Sequence, residues 1–276
     1  MADLALAARH QDMSLADVGP SFQRCQAGHK WHESKPVHIR LLGQPDVPDF
    51  PPIPHHLACA WDMRVWDTGR YMGQAGIYCT GQDETSHSIT TQGIWEGYET
   101  LTALEILHAG DGLVVDIGAQ VGWYTMLAAV NGNPVVAVEA DPENVRLLRM
   151  NTGGLDVEVV HGWVGPASPT VESECRVRLI KADIEGLERE AVRVFRPMLE
   201  ARRVDWLLLE LTPSFPGSDV GGVVRALQDC GYGTWLVPTK GTEVGGSVLE
   251  VCHTLPVTPE EAAGMSEQRT LLAGLT

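Results

Sequence analysis

The sequence predicts an α/β fold, a doubly wound and mostly parallel seven-stranded Rossmann-like sheet with an irregular N-terminal extension. From about residue 93, short apolar runs alternate with segments of helical periodicity. That alternation is the pattern of a parallel sheet with helices on both faces. Before this point the pattern is irregular. Prolines crowd residues 44–54, which therefore cannot form a helix interior or a central strand.

The apolar runs and the helical spacing place the elements. Helices are predicted over about 95–107, 122–130, 185–195 and 220–228, and another opens at Asp141-Pro142 with an acid at the cap and proline in the first turn. Strands are predicted at 113–117, 134–139, 157–160, 177–182, 204–210, 232–237 and 248–254. A short strand is also expected at 75–79.

Three regions follow from this pattern. Residues 1–92 form the extension or cap, 93–256 the main domain and 257–276 a C-terminal tail. The tail is expected to begin a helix at Thr258-Pro259, where a hydroxyl precedes a proline. In the first helix of the main domain, Glu96, Glu99 and Glu105 lie between the apolar positions.

Charge and cysteine usage exclude several classes of partner. The 36 acidic and 20 basic residues give a net charge of -16 at pH 7, which repels phosphate backbones and argues against a nucleic-acid partner. No apolar stretch is long enough to span a bilayer, and residues 1–10 do not match the pattern of a secretory signal, so we expect none. None of the six cysteines forms a C-x-x-C pair, so we expect free thiols and a cytoplasmic protein. The oligomeric state stays open, with a homodimer among the possibilities.

The strongest chemical signal is a glycine loop between a strand and a helix. Gly118-x-x-x-Gly122 follows Asp116, and the loop also contains Ala119 and Gln120. Glycines let a ligand approach the backbone, and a helix N-terminus favours a carboxylate or phosphate. A dinucleotide site would show G-x-G-x-x-G instead. The spacing suits a methionine-type ligand, with an acid for its amino group. The alternative is an ordinary strand-to-helix turn.

A second signal lies at the carboxyl end of the next predicted strand. Glu139 follows the glycine loop by about twenty residues, where an acid can accept hydrogen bonds from both hydroxyls of a ribose. A single glutamate in this position is more often a solvated charge. Together with the loop, it indicates a ligand that carries a nucleoside.

Three blocks of sequence resemble the signature blocks of FkbM-type S-adenosylmethionine-dependent methyltransferases. They are residues 116–124, 139–144 and 181–188, within a resemblance that runs from about Trp95 to Glu210. The third block, Lys-x-Asp-x-Glu-Gly-x-Glu, is the most discriminating. Two mild departures are Gln120, where Asn is usual, and Ala140, where proline usually follows the ribose-binding acid.

The resemblance implies S-adenosylmethionine as the methyl donor and a small-molecule hydroxyl as the acceptor, on a secondary metabolite, sugar or lipid. It places Glu139 at the ribose and the glycine loop at the methionine end, with Ala140 and Asn144 in the same cofactor-binding block. Trp163 is expected to flank the adenine, although a core position is an equal alternative. The N-terminal region has no match and is expected to select the acceptor.

The third block predicts the catalytic groups. Strand alternation puts Lys181 and Asp183 on the same side, so Asp183 is the expected base and Lys181 orients it or lowers the pKa of the acceptor hydroxyl. Glu185 is a third candidate, although acids at a helix start also merely complement the helix dipole, and that alternative is favoured for Glu188. Glu210, which closes the fifth strand, is an alternative carboxylate at the same edge.

Weaker patterns leave other hypotheses open. One cysteine and histidine set could supply a tetrahedral zinc site, but its spacings are unlike those of a common zinc finger, so no metal is predicted. Its members are Cys25, His29, His32, His55, His56 and Cys59. Alternative activities are N-methylation or carboxyl methylation of an amino sugar or peptide. Rivals of other kinds are a non-catalytic partner subunit that keeps the cofactor site and a nicotinamide-dependent reductase.

Overall fold

The computed structural model describes residues 59–67, 70–79, 83–92, 95–239 and 247–275. Within these ranges, the nine strands are β1 (Cys59–Asp67), β2 (Arg70–Cys79), β3 (Leu113–Ile117), β4 (Val135–Glu139), β5 (Val157–His161), β6 (Val177–Ala182), β7 (Val204–Leu211), β8 (Tyr232–Leu236) and β9 (Arg269–Leu275). The eight helices of the same ranges are α1 (Glu84–Gln92), α2 (Gly97–His108), α3 (Trp123–Val130), α4 (Pro142–Asn151), α5 (Glu188–Glu200), α6 (Val220–Asp229), α7 (Val248–Cys252) and α8 (Pro259–Ala263).

Seven of these strands form one sheet in the order β5-β4-β3-β6-β7-β9-β8. The pairs among β5, β4, β3, β6 and β7 are parallel, whereas β9 runs antiparallel to both of its neighbours. The chain order reverses between β3 and β6, and ligands of open α/β sheets bind at the carboxyl edge at such a switch point. β1 and β2 form a separate antiparallel pair that contains the strand predicted at 75–79.

The central strands of the sheet are largely buried on both faces, as their mostly apolar sequences predict. Helices α5, α6 and α8 contribute side chains to the core on one face, including Phe195 and Leu227. Helices α1, α2, α3, α4 and α7 contribute to the core on the other face, including Ile106 and Leu148. The predicted doubly wound α/β sheet of seven strands is therefore confirmed.

The strand predicted at 248–254 is wrong, because these residues form α7. The Glu105 carboxylate on α2 accepts hydrogen bonds from the backbone N–H groups of Val248 and Leu249, at 2.7 and 3.0 Å. It also accepts one from the hydroxyl of Ser247, the N-cap of α7. These bonds satisfy donors that a helix start leaves free, so a tertiary contact decides between helix and strand.

The seventh strand of the sheet lies instead in the segment that was predicted to be a tail. β9 pairs with β7 from Trp206↔Gly274 to Leu211↔Arg269, and it separates β7 from β8. Residues 257–276 therefore include part of the sheet rather than only an appendage. The helix start predicted at Thr258 is confirmed, with a reciprocal capping box between Thr258 and Glu261.

Two further observations bear on the sequence-based expectations. Cys230 and Cys252 are free thiols, but Cys175 is disulfide-bonded, so the expectation of free thiols is wrong for Cys175. Disulfides are rare in reducing compartments, and the cytoplasmic location stays a prediction from the sequence. Among the helices of the described ranges, none has the length and apolar character needed to cross a bilayer.

Candidate active site

A cavity of about 810 Å³ opens at the carboxyl ends of the central strands. Residues at or just beyond the ends of β3, β4, β6 and β7 line it, and so do residues before α2 and in α3. The predicted site residues that line it are Asp116, Gly118, Ala119, Gln120, Glu139, Ala140, Trp163, Lys181, Asp183 and Glu185. The fold thus brings residues from all three sequence blocks to one cavity.

The glycine loop is shaped by backbone conformations that need glycine. Gly118 has a φ of 79°, and a Cβ atom built on it would lie 1.9 Å from the carbonyl oxygen of Asp183. The loop after β3 therefore packs directly against the loop after β6. Gly122, the N-cap of α3, has a φ of 98°, packs against Leu148 of α4 and does not line the cavity. It therefore allows α3 and α4 to pack closely and does not contact a ligand.

Glu139 is held by the backbone at both of its carboxylate oxygens. Oε2 accepts a hydrogen bond from the N–H of Gln120 at 2.7 Å, and Oε1 accepts one from the N–H of Asp141 at 2.7 Å. The side chain is 7% exposed, and burial raises its pKa above the ordinary value. These bonds fix the carboxylate at the cavity wall with lone pairs to spare for a ligand.

Asp116 is buried beneath the glycine loop. Its Oδ2 accepts a hydrogen bond from the Thr125 hydroxyl at 2.6 Å. Burial raises the pKa of Asp116 to about 6, against the opposing effects of Thr125 and Lys181. The carboxyl group is therefore ionised at neutral pH, as a partner for a ligand amino group must be.

The three remaining candidates for cofactor binding differ in whether they line the cavity. Trp163 is partly buried and lines the cavity, with its ring packed on Gly165, where an added Cβ would lie 2.7 Å away. Ala140 also lines the cavity. Asn144 does not, and its backbone N–H is used by the Asp141 cap of α4 at 3.0 Å. The cavity geometry thus favours Trp163 and Ala140 over Asn144 as ligand contacts.

Lys181 is the buried cation of the site. Its side chain is 2% exposed, and Nζ lies 3.9 Å from Glu96 Oε2 and 3.9 Å from Asp183 Oδ2. It also lies 5.0 Å from the centre of the Tyr124 ring, in the range of a cation–π contact. Burial alone would lower its pKa, but the nearby carboxylates outweigh burial and the pKa is raised. Lys181 therefore stays charged, and Nζ has no hydrogen-bond partner in the described residues.

Glu96 is a site residue that the sequence analysis did not identify. It precedes α2 with a φ of 44°, in the left-handed region that costs energy for a residue other than glycine. Its carboxylate accepts a 2.6 Å hydrogen bond from the Tyr124 hydroxyl. Burial raises the pKa of Glu96, and the charge of Lys181 opposes the shift. The sequence pattern placed Glu96 only among the acids between apolar helix positions, which is common on solvated helices.

Glu210, the alternative carboxylate, completes a compact group. Carboxylate oxygens of Glu96, Asp183 and Glu210 lie within 4.8 Å of one another, and we call these three residues the acid cluster. Burial raises the pKa of Glu210 to about 9, helped by a hydrogen bond to Asp183 and by its charge. The Gln268 side chain also donates a hydrogen bond to Glu210.

The two glutamates after Asp183 have different environments. Glu185 is exposed at the cavity rim, with a φ of 52°. Burial and the charge of Asp183 raise its pKa. Glu188 is buried, and its Oε1 accepts a hydrogen bond from the N–H of Gly186 at 2.9 Å, so it serves the local turn. The helix predicted to begin at Glu185 begins at Glu188, because Glu185 and Gly186 are both left-handed.

Carboxylates at the spacing of the acid cluster are common without a metal ion, and the Lys181 ammonium lies beside them, so no metal ligand is assigned among the described residues. For the predicted cysteine and histidine set, Cys25, His29, His32, His55 and His56 lie outside the described residues. Cys59 lies in β1, and its side chain is not described.

Comparisons with known proteins give low similarities. No protein-family model and no curated protein matches the chain. Precorrin-6y C5,15-methyltransferase from Geobacter metallireducens is 17% identical over 63% of this chain and 87% of its own, with a TM-score of 0.38. The B. subtilis tRNA methyltransferase TrmK is 13% identical over 64% and 65%, with a TM-score of 0.39. A TehB-like SAM-dependent methyltransferase from Corynebacterium glutamicum is 12% identical over 69% and 94%, with a TM-score of 0.41. These values are too low to assign a family or an activity.

Proposed function

We propose that the protein is an S-adenosylmethionine-dependent methyltransferase that methylates a hydroxyl of a small molecule. One observation carries the proposal. One cavity is lined by groups from three separate blocks of sequence: the glycine loop, the predicted ribose-binding residue Glu139, and the pair Lys181 and Asp183. The resemblance of those blocks to FkbM-type methyltransferases supports the same conclusion.

The residues fit such a donor. A Cβ on Gly118 would fill the space beside Asp183, so the loop lies close to the reactive edge. Asp116 supplies a charge for an amino group, and Glu139 supplies fixed acceptors for ribose hydroxyls. Trp163 offers a flat apolar wall for a purine.

The chain's own groups then account for the transfer. The donor supplies a methyl group on a positively charged sulfur. Asp183 lies where it can take the proton of an acceptor hydroxyl as the new bond forms. Lys181 Nζ, without a hydrogen-bond partner in the described part of the chain, can donate to the acceptor oxygen and stabilise its developing charge. Holding the acceptor in line with the methyl group supplies much of the rate enhancement.

The class of acceptor follows from charge. The net charge of -16 disfavours nucleic acid, which leaves small molecules as the proposed acceptors. N-methylation of an amino sugar or peptide is the alternative, since Asp183 can also accept a proton from an ammonium group. Carboxyl methylation needs no base and leaves Asp183 without a role.

The donor is tested first by calorimetric titration of the full-length protein with S-adenosylmethionine, S-adenosylhomocysteine and NADH. We expect the two methionine ligands to bind and NADH not to bind. Small-molecule extracts are then incubated with protein and donor and screened by mass spectrometry for a gain of about 14 Da, as in-line transfer of a methyl group requires. Preference for NADH would overturn the proposal, and donor binding without any methylated product would favour a non-catalytic partner subunit.

The substitution Glu139→Gln tests the ribose contact. An amide cannot accept at both ends, so we expect the affinity for S-adenosylhomocysteine to fall roughly tenfold or more, as for loss of a hydrogen bond to a charged group. Calorimetry gives the affinity. Glu143→Gln is the matched control, because Glu143 is exposed, pairs with Arg146 and does not line the cavity. Equal affinities for the two variants would contradict the assigned role of Glu139.

A further inference from the structure

Among the described residues, the acid cluster carries more negative charge than the neighbouring cation balances. Its three carboxylates lie within 4.8 Å of one another. The described cation beside them, Lys181 Nζ, lies 3.9 Å from Glu96 and from Asp183. Carboxylates this close in a partly buried site do not all ionise, because each negative charge disfavours the next. The cluster therefore holds a proton in the free protein at neutral pH.

Several described charged and titratable groups surround the three members of the acid cluster. They are Glu99 in α2, Asp116 in β3, Tyr124 in α3, Lys181 in β6 and Glu185 after β6. Lys181 stays positive and Tyr124 stays neutral up to pH 9, because the pKa of each is raised. Within the acid cluster, Glu96 accepts a hydrogen bond from Tyr124 and, like Asp183, lies 3.9 Å from Lys181 Nζ, which favours the ionised form of both. Glu210 has no cation within 4 Å among the described residues, and burial raises its pKa to about 9. Glu210 is therefore the carboxyl group beside Asp183 that titrates in this range.

We propose that Asp183 and Glu210 share one proton in the free protein and release it when the positively charged methyl donor binds, so that the site distinguishes the donor from its neutral product. The inference rests on the proposed function. It depends on the position of Asp183 and Glu210, which line the same cavity as the glycine loop. The loop after β6 that carries Asp183 also packs directly against the glycine loop at Gly118. A cation bound at that loop favours the ionised form of the nearby carboxyl pair.

The protons released and taken up by the site balance over one turnover. In the donor complex, the Asp183–Glu210 pair is fully ionised, and the released proton goes to solvent. During transfer, the bond from sulfur to methyl breaks as the bond from acceptor oxygen to methyl forms, and the hydroxyl proton passes to Asp183. The pair then again holds one proton, and the sulfur is neutral. The site has lost the positive charge that it bound, which favours product release.

Proton release is measured by calorimetry on the full-length protein, without any acceptor. S-adenosylmethionine and S-adenosylhomocysteine are each titrated in phosphate and in Tris at pH 7.5, and the difference in heat between buffers gives the number of protons released. We expect the wild-type protein to release close to one more proton with the donor than with the product. From pH 7 to pH 9, donor affinity should rise relative to product affinity by up to about tenfold per pH unit, the limit for one linked proton.

Two variants isolate the source of the proton. Glu210→Gln removes the titrating group, so the difference in proton release between donor and product should disappear. Comparison with the wild-type protein cancels the titration of the ligands' own amino groups. Glu84→Gln changes an exposed carboxylate elsewhere on the cavity wall and should keep the difference in proton release. Equal proton counts for both ligands in the wild-type protein would overturn the inference, even if Glu210→Gln does not fold. An undiminished difference in Glu210→Gln would also overturn it. Failure of both ligands to bind would overturn the proposed function and this inference with it.

Discussion

Replacing Gly118 by alanine is expected to abolish donor binding and to lower the free energy of unfolding by roughly 2–5 kcal/mol. The left-handed φ of 79° costs about 1–2 kcal/mol for an L-residue. A Cβ atom 1.9 Å from the Asp183 carbonyl oxygen must also push apart two backbone segments, and overpacking of this kind costs about 1–3 kcal/mol. Denaturant unfolding measures the stability loss, and calorimetry measures the loss of affinity.

Gly132→Ala is the matched control for this substitution. Gly132 has a φ of 85°, but an added Cβ would meet nothing within 4 Å. We therefore expect this variant to lose only the conformational term of about 1–2 kcal/mol and to bind the donor normally. If both variants unfold alike and both bind, the close packing of the two loops is not what the site depends on.

Replacing Asp183 by asparagine is expected to reduce turnover by about 10²–10⁴-fold, the usual contribution of a positioned base. The amide keeps the shape of the side chain but cannot take up the acceptor's proton. Rates are measured with the acceptor identified by mass spectrometry, under saturating donor.

Binding distinguishes a catalytic effect of Asp183→Asn from a structural one. We expect S-adenosylhomocysteine affinity to stay within a few-fold of the wild-type value, because Asp183 meets the glycine loop through its backbone carbonyl. Glu190→Gln, which alters a carboxylate paired with Arg193 outside the cavity, should retain full turnover. Normal turnover in Asp183→Asn would exclude Asp183 as the base and shift attention to Glu210.

The sequence predicted those parts of the fold that local pattern determines. The runs at 113–117 and 177–182 match β3 and β6, because strands buried on both faces are continuous apolar runs. The sequence pattern gave the wrong secondary structure where a contact with a distant residue determines it. Glu105 caps α7 from another helix, so a mostly apolar five-residue segment became helical rather than extended. β9 was missed although residues 271–275 form an apolar run, because that run followed a segment interpreted as a tail.

In the candidate site too, local sequence pattern identified some residues, whereas others depend on tertiary contacts. The glycine loop, Glu139, Lys181 and Asp183 carry their own spacing signals, and the fold brings them to one cavity. Glu96 carries none, because its role depends on a left-handed turn that directs its carboxylate to Tyr124 and Lys181, which are distant in sequence. The shared proton of Asp183 and Glu210 likewise depends on the adjacency of β6 and β7, which spacing alone does not reveal.

A crystal structure of the protein grown with S-adenosylhomocysteine tests the central claim most directly. We predict that the ligand lies in the cavity at the carboxyl ends of β3 and β4, with its ribose hydroxyls on Glu139 and its amino group near Asp116. Its sulfur should face the side of the cavity occupied by Asp183. A ligand bound elsewhere, or a cavity that stays empty at saturating concentration, would contradict the account.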